Sequence, residues 1–279
     1  MQDWRLNNTF PSESGLVRWD RFGDPVRDPV VLLHGTPFSS SIWRAVARSL
    51  APYHCVYVWD MPGYGSSEKS PGQDLSLAAL ARVFAGLLDH WELGEPRVAA
   101  HDSGAAVALG AHLLHGVPYN RLLLVDAVAL GPWGSPFFQV AGEYAEVFER
   151  LPPTLHRVIV RAYVDTASGP GLRPATLDAL AEPWLDDDGQ RAFYHQLAQR
   201  RGDERYTDEL RPRYGTIDIP VMICWGEDDT WIPVERGREL ASLVPGARFR
   251  GIPRAGHLVP EDSPAELTAA LLAFLHELP

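Results

Sequence analysis

Six short runs, five of them apolar and not alternating with polar residues, constrain this chain more than any other feature. They span residues 29–33, 56–59, 97–100, 121–125, 220–225 and 247–252. A strand exposed on one face alternates in polarity, whereas a strand covered on both faces does not. Between the runs lie segments of helical period, at 41–50, 75–91, 105–115, 234–243 and 265–278. Buried strands alternating with helices predict an α/β fold, a mainly parallel sheet flanked by helices. One interval departs from this pattern. Residues 131–218 contain no strand-like run but are rich in aromatics and helix-period apolar residues. They are read as a compact helical cap inserted between two strands of a core made by 1–130 and 219–279.

Each run ends in a polar or glycine-rich cluster, and open parallel sheets bind ligands at the carboxyl ends of their strands. His34, Asp60, Asp102, Asp126, Asp229 and His257 therefore gather on one rim. Among these clusters VAAHDSGAAVAL is the most informative. A strand passes through a tight turn into a helix, with Ala100 and Gly104 two residues either side of Asp102. Small neighbours are required where a strained turn brings strand and helix close together. Taking Ser103 as the central residue would instead put His101 at a position that needs a small side chain.

The segment resembles the nucleophile elbow of the α/β-hydrolase fold family, with aspartate where serine is usual. The resemblance covers nearly the whole chain outside residues 131–218. It implies the chain order nucleophile, acid, histidine. WGEDDTWIP resembles the family's acid turn and points to Asp229, and RAGHLVPEDSP resembles its histidine loop and points to His257. Asp126 is the alternative acid, because some aspartate-nucleophile dehalogenases draw theirs from the end of that strand. HGTP resembles the oxyanion loop, which implies backbone donors at Thr36 and Ser103, beside His34 and a Thr36–Pro37 bond expected to be cis. DMPGYGSS resembles a structural turn of the family.

An aspartate is ionised at neutral pH and can attack a saturated carbon directly. The resemblance to the aspartate-nucleophile branch therefore implies an alkyl ester on Asp102, hydrolysed by water that His257 activates. Epoxide hydrolysis is the leading expectation. Haloalkane dehalogenation, ester or lactone hydrolysis, and a non-hydrolytic, cofactor-independent biosynthetic step are the alternatives. Dehalogenases carry tryptophan after the nucleophile and often asparagine in the oxyanion loop, where this chain has Ser103 and Thr36. Ala100, Ser103 and Ala105 also depart from residues usual in the relatives. Epoxide hydrolases protonate the ring oxygen with cap tyrosines, and GQRAFYHQ resembles the cap helix that supplies one. Tyr194 and Tyr144 are the candidates, with Trp133 and Phe137 among the aromatics expected to line an apolar substrate pocket.

Composition narrows the partners. The formal net charge is −11, which disfavours nucleic acid. Two cysteines, Cys55 and Cys224, sit in apolar runs with no disulfide or metal-ligand spacing, which suits a reducing compartment. Neither a signal peptide nor a membrane-spanning run is evident. The expectation is a cytoplasmic monomer or homodimer that acts on a small apolar organic substrate without cofactor or metal.

Overall fold

A computed structural model of the chain describes residues 4–276. Its eight-stranded sheet consists of β1 (Asn8–Ser12), β2 (Gly15–Phe22), β3 (Pro29–Leu33), β4 (Cys55–Asp60), β5 (Arg97–His101), β6 (Arg121–Val125), β7 (Val221–Gly226) and β8 (Arg248–Ile252). The strand order is 1-2-4-3-5-6-7-8. From β4 through β8 neighbouring strands run parallel, and β1 and β2 join antiparallel at one edge. Every residue of β4, β6 and β7 is buried, which explains why these runs lack alternation. The edge hairpin was not among the expected strands. β2, GLVRWDRF, is polar and only partly buried, so it carries neither a continuous apolar run nor clean alternation.

The helices are α1 (Arg44–Leu50), α2 (Leu77–His90), α3 (Ser103–His115), α4 (Pro136–Glu143), α5 (Ala145–Phe148), α6 (Pro153–Asp165), α7 (Pro174–Ala181), α8 (Asp187–Arg201), α9 (Glu204–Leu210), α10 (Val234–Leu243), α11 (Val259–Asp262) and α12 (Pro264–His276). α2 packs on α3 and α1 on α12, so the apolar faces expected from the sequence are used against one another and the sheet. The last two residues of the expected helix 265–278 lie outside the described residues. α4 to α9 all fall between β6 and β7, where no strand occurs among the described residues. The two cysteines are buried and unpaired. Among the described residues no helix is long and apolar enough to cross a membrane.

Candidate active site

β5 ends at His101, and α3 begins at Ser103, so a single residue makes the turn between them. That residue, Asp102, has φ 51° and ψ −125°, in the region L-residues rarely adopt. Gly104 makes the close approach possible, because a Cβ there would collide with the His34 carbonyl oxygen. A Cβ on Gly35 would meet the Asp102 carboxylate itself. Gly104 is thus dictated by backbone proximity and Gly35 by the Asp102 side chain.

The Asp102 carboxylate is buried between two sets of partners. The Thr36 N–H donates to its Oδ2 at 2.7 Å. His257 Nε2 lies 3.5 Å from its Oδ1. Burial works against ionisation of Asp102, but the nearby His257 imidazole outweighs it and holds the carboxyl below its ordinary value. On its other face His257 donates from Nδ1 to Asp229 Oδ2 at 2.9 Å. Asp229 is fixed in turn by the N–H groups of Trp231 and Ile232, at 2.7 and 2.9 Å. Burial alone would lower the imidazole's pKa, but Asp229 and Asp102 together drive it well above the usual histidine value. His101 adds a further support, donating from Nε2 to the His257 carbonyl at 2.8 Å. Its own pKa is pushed down to about 4 by burial, so this ring is neutral.

Asp126 occupies the adjacent strand end but faces Gly226, whose N–H donates to it at 2.8 Å. Its second oxygen is buried without a hydrogen-bond partner. Burial, then the charge of Asp229, raises its pKa well above the carboxylate range. Asp229, and not Asp126, is therefore the carboxyl group hydrogen-bonded to the imidazole.

Thr36 is also where the segment 131–218 meets the loop after β3. Its Oγ1 lies 2.9 Å from the Tyr64 hydroxyl and 3.1 Å from Ser103 Oγ. Arg200, from the end of α8, donates to Thr36 Oγ1 at 3.4 Å and to Tyr64 at 3.3 Å. The Arg200 guanidinium is 1% exposed and also binds Asp203 Oδ2 and the Leu75 carbonyl, at 2.9 and 2.6 Å. The Thr36–Pro37 bond is cis.

Several residues singled out in the sequence stand elsewhere. His34 points into the core, where its Nε2 accepts from the Met61 N–H at 2.9 Å and its Nδ1 meets the Gly35 carbonyl, so both ring nitrogens serve the backbone. The Tyr194 hydroxyl donates to His156 Nδ1 at 3.0 Å, within the helical segment and away from Asp102. Tyr144 is 53% exposed. Its position after α4 turns it to solvent. Trp133 does wall the chamber over Asp102, with its indole N–H on Thr207, but Phe137 lies outside. Its neighbour Phe138 takes the inner place.

The tyrosine that reaches the chamber is Tyr163, on α6. Its ring stacks on Trp231 at 4.4 Å and 9°, and Trp231 stacks on His257 at 5.0 Å and 28°. Neither was singled out from sequence. Trp231 carried a usable signal, since it stands two residues after Asp229 in the same turn. Tyr163 and Arg200 carried none beyond helical period. A larger cleft of about 860 Å³, bordered by Trp4, Asp60 and Lys69, opens elsewhere and includes no elbow residue.

Residues 30–271 match the model of the "Alpha/beta hydrolase family". An alpha/beta hydrolase fold protein from Burkholderia ambifaria is 43% identical and superposes with a TM-score of 0.92 over 97% of this chain and 98% of that one. A thermophilic esterase from Thermogutta terrifontis is 25% identical, with a TM-score of 0.77 over 93% of each chain. A 2-hydroxy-6-oxononadienedioate/2-hydroxy-6-oxononatrienedioate hydrolase from Dechloromonas aromatica is 24% identical over 89% of this chain and 86% of its own. None of these three is named an epoxide hydrolase or dehalogenase. With the elbow, the sheet order and a family match over most of its length, the chain belongs to the alpha/beta hydrolase family.

Proposed function

We propose that this protein is a hydrolase of apolar small molecules in which Asp102 is the nucleophile. The observation that carries the reading is a carboxylate, not a hydroxyl, at the elbow, with the Thr36 N–H on one oxygen and His257 at the other. A carboxylate attacks a saturated carbon that bears a leaving group, as in an epoxide, and forms an alkyl ester. The Thr36 and Ser103 N–H groups then stabilise charge on the ester oxygen when water adds to its carbonyl. His257, oriented by Asp229, takes the proton from that water. Alkylation removes the charge of Asp102, one of the causes that keep the imidazole protonated. The same step that makes the ester therefore prepares its base. Tyr163 is the chamber's candidate for protonating an epoxide oxygen, in place of Tyr194 and Tyr144.

Hydrolysis of an ester or lactone is the second reading, favoured by the esterase among the similar structures and by Ser103 Oγ, 3.1 Å from the Thr36 N–H. In that case Asp102 and His257 activate water and no ester to the protein forms. The non-hydrolytic alternative has no observation in its favour. The division into a core at 1–130 and 219–279 and a cap at 131–218 belongs to the same proposal, the cap closing the chamber over Asp102.

Replacing His257 with Gln and recording intact mass after exposure to a panel of epoxides, haloalkanes and esters separates the readings. A stable adduct of ring-opened epoxide mass, absent when Asp102→Asn is added, is the expected result. Turnover of esters by the wild type with no adduct from any member would sink the alkyl-ester mechanism. A single turnover in ¹⁸O-water gives an independent check, since only the first reading places label in the Asp102 peptide.

A further inference from the structure

The chamber over Asp102 has a volume of about 20 Å³, the room of roughly one water molecule. An organic substrate does not fit there with the helices as they stand. Behind its wall lies a solvent-open groove of about 600 Å³, within the usual range for small-molecule sites. Tyr163 and Trp231 border both spaces, and their stacked rings form the partition between them. Phe137 packs against Tyr163 at 4.7 Å on the groove side and meets Phe148 edge-on at 6.0 Å. Ile159 and Ala162, on the same helix as Tyr163, continue the apolar wall. No charged side chain lines the groove.

We propose that this groove is an outer substrate subsite, which holds the unreactive body of an extended, neutral, apolar molecule such as an alkyl or aryl chain. The reacting carbon passes between Tyr163 and Trp231 to reach Asp102. Uncharged walls favour a neutral ligand, because a charged group would lose hydration there without finding a partner. Shared walls favour a substrate over a docked protein, since only the two stacked rings separate the groove from the chamber. Parting the rings takes a shift of α6, which carries Tyr163, and the loss of the Trp231 indole N–H bond to Thr166 Oγ1 at the end of that helix, while Asp229 keeps the Trp231 backbone on the acid turn. The inference rests on Asp102 as the reacting group only for the direction in which the ligand points.

Titration with the neutral fluorophore N-phenyl-1-naphthylamine tests the subsite without requiring turnover. Ala162 is exposed and lies outside the chamber, so Ala162→Trp fills the groove without touching the elbow. Saturable binding is expected for the wild type and for Asp102→Asn, with affinity at least about tenfold weaker in Ala162→Trp. Val26→Trp, on a residue 91% exposed between β2 and β3, is the control and leaves affinity unchanged. Absence of saturable binding to the wild type, or equal affinity in Ala162→Trp, overturns the subsite. Because Asp102→Asn is expected to bind, failure to trap an ester overturns the chemistry and not this inference.

Discussion

Asp102 accepts the Thr36 N–H on one oxygen and faces His257 with the other, whereas Asp126 has one oxygen on the Gly226 N–H and one with no partner. The same side chain on the same rim is thus held as an anion at one position and as a neutral acid at the other. A carboxyl whose folded pKa is raised weakens the fold at every pH above its unfolded value. Asp126→Asn, which keeps the oxygen on Gly226, should melt no lower than wild type at pH 8 and retain more than half its activity. Asp229→Asn should lose activity by at least about a hundredfold, since it removes the anion that orients the imidazole. Steady-state rates and thermal melts on the two variants check this together. His257 moves the other way. Its folded pKa lies above 6.5, so its contribution to stability is full below pH 6.5 and fades as pH rises through the folded value. Asp102, with a lowered pKa, contributes fully above 3.8 and loses its share as pH falls below that. Urea unfolding should therefore show a larger gap between wild type and His257→Gln at pH 5.5 than at pH 9. An equal gap at both would refute the ion-pair account.

At the scale of elements, the junction of β5 and α3 tolerates almost no added volume. Gly104→Ala should cost about 1–3 kcal/mol in urea unfolding, because the clash is with backbone at His34 and cannot be relieved by a rotamer. The end of α8 is tied to the loop after β3 through Arg200, whose charge is balanced by Asp203. Arg200→Met leaves that carboxylate buried without its counter-ion, with only the Leu77 N–H on it, and an expected loss of about 3–5 kcal/mol. Adding Asp203→Asn should restore part of the stability, and a double variant as unstable as the single one would contradict the pairing. These local rules also explain what could be read in advance. Five of the six parallel strands were legible because each is a short apolar run closed by a turn, whereas β8, RFRGI, alternates and is largely exposed or half-buried. Asp102, Asp229 and His257 were legible because each follows a strand end. β2 was not, since an edge strand mixes polar and apolar residues without a fixed beat. Tyr163, not Tyr194, reaches the chamber because of how α6 and α8 lie over the rim, and helical period does not encode that. Arg200 was silent for the same reason: its role depends on Tyr64 and Thr36, both distant in sequence.

For the molecule as a whole, burial is concentrated in the sheet, while α4 to α6 expose Val140, Tyr144, Val147, Leu155 and Val158. Regions with few buried apolar neighbours open at lower free energy than the core. Hydrogen exchange should accordingly find the amides of α4 and α5 exchanging at least about a hundredfold faster than those of β5 and β6. Equal protection would mean that these helices open only with global unfolding, leaving no local route to the chamber. The helices between β6 and β7 have a consequence for biosynthesis. They separate the two halves of the candidate machinery along the chain, with Asp102 before them and Asp229 and His257 after. A ribosome that has released residues as far as Thr216 has made the elbow, the loop after β3 and every helix that covers them, but neither partner of the imidazole pair. Until the last two strands emerge and add to the sheet edge beside β6, the nascent chain carries the elbow carboxylate without Asp229 or His257, and the proposed mechanism has no base to complete a turnover.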